Sequence, residues 1–147
     1  MRYILLLLAL LGAVDSGLAL REHYRQGLAP CDINEKWDCG VVNHSPFAVM
    51  GGIPVADIGI AGYILLTFLA FRKQYRLMLA AAIPALAFSL YLAHIEKDVL
   101  GVWCVYCAIS LGLICLLTLL IAGTVVVQAV RRNRSGSVLE NGKQLSS

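Results

Sequence analysis

Four long apolar runs, separated by short polar segments, dominate this chain: about Tyr3–Leu20, Ala56–Phe71, Leu77–Ile95 and Cys104–Val130. Each approaches the ~20 residues that a helix needs to cross ~30 Å of hydrocarbon. The second is the shortest, and a start a few residues earlier, near Ile53-Pro54, lengthens it, because proline is tolerated in the first helical turn. Lipid offers no partner to backbone N–H and C=O groups, so only helices and closed barrels span it. The pattern therefore predicts an all-α fold, an integral membrane four-helix bundle.

Composition agrees. Of 147 residues, 59% are hydrophobic and 14% charged, and the mean hydropathy is +0.77. A soluble domain of this size needs more charge to cover its surface. The length allows one membrane domain over residues 1–132, followed from Asn133 to Ser147 by a polar segment expected to be a disordered cytoplasmic tail. With a cytoplasmic N-terminus, that side carries eight basic residues: Arg2, Arg72, Lys73, Arg76, Arg131, Arg132, Arg134 and Lys143. The opposite side carries four, namely Arg21, Arg25, Lys36 and Lys97. The bias places both termini in the cytoplasm, and the net charge of +3 needs no nucleic acid to explain it. Arg2 followed by Ile4–Ala13 also has the shape of a secretory signal. Asp15 interrupts the expected cleavage region of such a signal, so the first helix is expected to be retained.

The chemistry lies in the cysteines. Trp103-Cys104-Val105-Tyr106-Cys107 opens the fourth apolar run. A Cys-x-x-Cys pair at a helix start is a redox device, because the helix N-terminus stabilises a thiolate there. The flanking Trp103 and Tyr106 suit the interfacial belt of a membrane. Cys31 and Cys39 lie in the polar loop between the first two runs. They either staple that loop or shuttle electrons from a soluble partner to Cys104. A static staple would leave Cys104 and Cys107 without a route outward, which favours the shuttle. Both pairs then face the periplasm or exterior, where disulfides persist. Cys115 lies about 16 Å deeper along the fourth helix and is expected to be a buried packing residue. Asp15 is an acid inside an apolar run, either functional or solvated near the interface with Ser16. Asp57 suits a helix start, and His44 and His94 suit membrane ends.

Together these residues resemble the vitamin K epoxide reductase family in its small bacterial form, from about Asp15 to Leu117. The marks are Cys31 and Cys39, Ser45 six residues later, Gly52-Ile53-Pro54 leading into the second helix, Ser89-Leu90-Tyr91-Leu92-Ala93 in the third, and Trp103–Cys107 opening the fourth. The resemblance implies a four-helix bundle around a quinone, ubiquinone or menaquinone, with an extracytoplasmic loop cap between helices 1 and 2. It implies that Cys107 reacts with the quinone and Cys104 resolves it. Cys39 would exchange with Cys104, Cys31 would meet the external thiol, and Ser45 would help hold the cap over the pocket. Animal members place a tyrosine four residues after the CxxC and an asparagine near the start of the second helix. Here Leu111 and, approximately, Val55 stand at those positions, so polar contacts to the quinone are expected from Ser110, Asp57 and Tyr91.

The function implied is a quinone-dependent thiol-disulfide oxidoreductase of the bacterial inner membrane. It would make disulfides for a separate periplasmic thioredoxin-fold (DsbA-like) partner. The same family supports quinone or epoxide reduction driven by external thiols. An unrelated four-helix quinone oxidase carries its cysteine pairs in two separate outside loops, which the CxxC at the fourth helix argues against. Two other classes are a metal-handling membrane protein using Cys31, Cys39, Cys104, Cys107 and His44 as soft ligands, and a small stapled structural subunit.

Overall fold

The computed structural model describes residues 1–27 and 30–145. Its long helices are α1 (Arg2–Tyr24), α3 (Val55–Phe71), α4 (Tyr75–Ile95) and α5 (Val105–Leu145), with a short α2 (Cys39–His44) in the loop after α1. Three helical stretches are long and apolar enough to cross a membrane: Arg2–Tyr24, Tyr75–Leu100 and Val105–Ser137. The apolar helix Val55–Phe71 is shorter. This is the expected all-α membrane bundle, with small additions. A two-residue hairpin pairs β1 (Val49–Met50) with β2 (Ile53–Pro54). Its turn uses Gly51 and Gly52, both at positive φ (59° and 85°), as a tight antiparallel turn requires. Pro54 then caps α3.

The boundaries follow local chemistry. α1 ends where Arg25 becomes extended. α3 and α4 are joined by a three-residue turn in which Lys73 takes φ 58°, so they run antiparallel. The end of α4 widens into a π-type turn over Glu96–Leu100 and stops at Gly101, which adopts φ 69°. α5 does not stop near Arg132. It continues through the segment expected to be a disordered tail, with Ser135 and Ser137 hydroxyls donating to the carbonyls of Arg131 and Arg134. No proline interrupts the register after Val130. At about 60 Å, the helix outreaches the hydrocarbon.

The four long helices alternate in direction. The α3–α4 turn with Arg72, Lys73 and Arg76 therefore shares an end with Met1 and the basic run Arg131–Arg134, and the cysteine loops share the other. α1 packs chiefly on α3, and α4 on α5, while α1 and α4 lie on a diagonal. Near the basic end the bundle is filled by Leu5, Ala9, Leu66, Leu69, Met78, Ala82, Leu117 and Ile121. Near the other end Cys31, Cys39, Val42 and Cys104 form a separate buried cluster. Leu7, Leu10, Leu11, Val14 and Leu18 point outward from α1, as lipid-facing positions do. The inward stripe of the same helix runs Leu5, Ala9, Gly12, Asp15, Ser16, Ala19 and Glu22.

Gly12 sets how closely α1 approaches α3. A methyl group there would run into the Tyr63 ring, whereas one at Gly17 would meet open space. Gly12→Ala is expected to lower stability by ~1–3 kcal/mol through overpacking, against the ~1 kcal/mol that alanine otherwise gains over glycine in a helix. Thermal unfolding in detergent, beside Gly17→Ala as the unstrained comparison, measures the difference. Equal melting shifts would contradict the close approach.

Candidate active site

The loop before α2 is joined to the segment before α5 by backbone. Trp103 N–H donates to the Lys36 carbonyl at 2.7 Å, and Asp38 N–H donates to the Trp103 carbonyl at 3.1 Å. The Trp37 and Trp103 rings lie beside this joint with centroids 6.4 Å apart. Asp38 caps α2, its Oδ1 accepting from Val41 N–H at 2.8 Å, as an aspartate N-cap does. Asp32 Oδ1 accepts from Gly40 N–H at 3.1 Å. The first turn of α2 is thus held from both sides.

Cys39, the first residue of α2, sits over the start of α5, where Val105 N–H donates to its Sγ at 3.4 Å. Cys104 is the residue just before α5, and neither Cys39 nor Cys104 has any exposed surface. Cys39 is disulfide-bonded to Cys31, with Cα atoms 5.8 Å apart, while Cys104 and Cys107 are free. Asn43 bridges the two layers. Its Nδ2 donates to the Cys39 carbonyl at 2.9 Å and lies 3.8 Å from Cys104 Sγ. The Cys104 thiol is held below the ordinary cysteine pKa, first by its hydrogen bond with the Cys107 side chain and then by backbone donors at the start of α5, against burial and the Glu96 charge. A helix N-terminus acts in this way on a thiolate.

Glu96 lies on the inner side of the pair. Its Oε2 accepts from Cys104 N–H at 3.0 Å, and its carboxyl interacts with the Cys107 thiol. It is 2% exposed, and Oε1 has no hydrogen-bond partner of ordinary geometry. Below the cysteines a cavity of about 230 Å³ opens between the cap and the filled half of the bundle. Cys107 and Glu96 line it, as do Asp15 and Ser16 from α1, Tyr63 from α3 and Ser110 from α5. Tyr63 O–H lies 3.0 Å from both the carbonyl and the hydroxyl of Ser110. Walls that are mostly apolar with a few placed polar groups are what a small-molecule site presents.

The sequence pattern of the vitamin K epoxide reductase family matches residues 3–127 of the 147. The chain belongs to this family. No curated protein matches it significantly. Membership makes it a membrane oxidoreductase.

Within this family member, the structure brings some expected site residues together and leaves others apart. Cys31, Cys39 and Cys104 share the cap cluster, with Cys107 packed against it. Ser45 ends α2, its Oγ donating to the Val42 carbonyl at 2.8 Å, and it lines the cavity with Val55 and Ser110. Asp57, Leu111 and Tyr91 do not line it. On α3 the lining residues are Val55, Ala56, Ile58, Gly59, Gly62, Tyr63 and Leu66, and Asp57 is not among them. Leu111 lies just past the edge of the α5 face set by Cys107, Ser110 and Ile114. Tyr91 is turned outward, 53% exposed, against the hairpin and the adjoining turn. Cys115 is exposed rather than buried, because its neighbours Ile114 and Leu117 take the inward face. Asp15, by contrast, is buried. His44 Nδ1 contacts the Gly40 carbonyl, and exposed His94 pairs with Asp98 at 2.6 Å. Among the described residues, no three His, Cys, Asp or Glu side chains are arranged to hold a metal ion.

Glu96, Asn43 and Tyr63 were not foreseen. An acid eight residues before Cys104 and an amide one turn after Cys39 were the available signals. Asn43→Ala is expected to cost ~1–3 kcal/mol by leaving buried groups without their partner, whereas Cys115→Ala stays within ~0.5 kcal/mol. Thermal melts of the two variants in detergent check this. A silent Asn43→Ala would remove its bridging role.

Proposed function

We propose that the protein passes electrons from an external dithiol, through Cys31/Cys39 and then Cys104/Cys107, to a membrane quinone, so that disulfides are made in a thioredoxin-fold partner. The observation that carries this reading is the stacking of the relay. Cys39 is clamped directly over Cys104, and Cys107, one helical turn on, opens into the cavity. Thiol–disulfide exchange needs a thiolate in reach of a disulfide sulfur, and the backbone joint at Trp103 supplies that reach.

A partner dithiol opens Cys31–Cys39, leaving two thiols. Cys39 then attacks the Cys104–Cys107 disulfide at Cys104, Cys31 resolves the mixed disulfide, and Cys104 and Cys107 are left reduced. The pairing seen here, with the loop closed and Cys104 and Cys107 free, corresponds to this electron-loaded state. The cavity residues fit a quinone: the walls are apolar, and Asp15 and Glu96 each offer a buried carboxyl oxygen without a partner. A bound quinone would accept two electrons and two protons there. Cys107 faces it, Glu96 can hold the Cys107 proton, and the cap with Ser45 and Asn43 excludes water from above. The basic residues at the opposite end of the bundle favour a cytoplasmic position for that end, which puts the cysteines in the periplasm.

The test is quinone reduction by the purified protein in detergent, driven by dithiothreitol. Wild type and Cys31→Ala are expected to turn over a ubiquinone or menaquinone analogue, while Cys107→Ser does not. Cys31→Ala should also fail with a reduced thioredoxin-fold protein as donor. Equal losses for both variants with both donors would defeat the proposed order of the relay.

A further inference from the structure

We propose that Asp15 is the acid that hydrogen-bonds one oxygen of the quinone and protonates it, from the wall of the cavity opposite Glu96. The inference rests on the quinone reading and adds a residue of this chain to it.

Asp15 lines the cavity and is 7% exposed, and its Oδ2 has no hydrogen-bond partner among the described residues. A buried polar group left unpaired is costly, and in a membrane helix such a carboxyl is a site candidate by default. Among the described residues no cation is paired with it: Arg25, just past the end of α1, pairs with Glu22 at 3.7 Å. The neighbours of Asp15 fix its position. Gly12 admits the Tyr63 ring, and the Ser16 Oγ lies within 2.8 Å of where a Cβ on Gly59 would stand. α1 is therefore seated closely on α3 at Gly12 and Ser16, on either side of the inward-facing Asp15.

The second observation is where its counterpart lies. Glu96, at the end of α4, is the other cavity-lining acid with a buried, unpartnered oxygen. α1 and α4 are diagonal in the bundle, with α5 and its Cys107 between them. A 1,4-quinone carries its two oxygens on opposite sides of one ring, so it can present one to each of two acids that stand on different helices of the cavity. Formation of the Cys104–Cys107 disulfide releases two electrons to the ring and two protons. Asp15 gives its proton to the oxygen on its side and takes one back from those the thiols release. The carboxyl thus ends each turnover as it began, and no further reactant is needed.

Two readouts test this. In infrared difference spectra, menadione added to the purified protein is expected to shift a carboxylic C=O band in wild type and in Cys107→Ser, and the band is expected to vanish in Asp15→Asn. A band unchanged by menadione, or one that survives in Asp15→Asn, overturns the proposal whether or not the protein turns over. In dithiothreitol-driven reduction of ubiquinone-1, Asp15→Asn keeps a hydrogen-bond donor but has no proton to give. Its kcat should fall ~100-fold or more with KM changed less than ~3-fold, and Asp15→Glu should recover part of the loss. Wild-type kcat in Asp15→Asn overturns the role of Asp15 alone. A wild type inactive toward every quinone overturns the relay reading, and the infrared result then decides Asp15 separately.

Discussion

Two backbone hydrogen bonds hold the site together: Trp103 N–H to Lys36, and Asp38 N–H to Trp103. Everything above the cavity hangs from this joint. It sets the height of α2, and therefore where Cys39 lies relative to Cys104. It also pulls the polar loop down over the open end of the bundle. Because the bonds are made by main chain, the register between the two cysteine-bearing segments does not depend on side-chain identity at Lys36 or Val102. Asn43 and Glu96 then tighten the arrangement from above and below.

The bundle divides its work along its length. The half near the basic end is solid, packed with leucine, isoleucine, alanine and methionine. The other half is hollow and carries the buried polar groups Asp15, Ser16, Asn43, Ser45 and Glu96. In lipid such groups are tolerated when they face the interior and have work to do there. The solid half supplies the stability that the hollow half gives up.

Much of the architecture was legible because lipid simplifies the code. Four apolar runs of this length read as helices, and Cys104 and Cys107 at the mouth of the last run mark the end at which the buried cysteine cluster forms. Which residues face the cavity was less legible. Asp57, Leu111 and Tyr91 are each within one residue of a lining position, yet a rotation of ~100° per residue turns them away. Apolar runs give little warning of this, since lipid-facing and core-facing positions are filled by the same residue types. Cys115 illustrates it, as does Asp15, whose inward position depends on how Gly12 lets α1 settle against Tyr63. The continuation of α5 past Arg132 was missed for another reason: a polar composition suggested disorder where the preceding helix provides a ready template.

The short third helix has a consequence for the cavity. α3 has 17 residues and spans about 25 Å, several ångströms less than a typical hydrocarbon layer. The hairpin that precedes it exposes Val49, Met50 and Ile53, which add apolar surface at the end where α3 begins. The cavity is thus walled on one side by the shortest of the four long helices, and Pro54 of the hairpin extends that wall at the cysteine end.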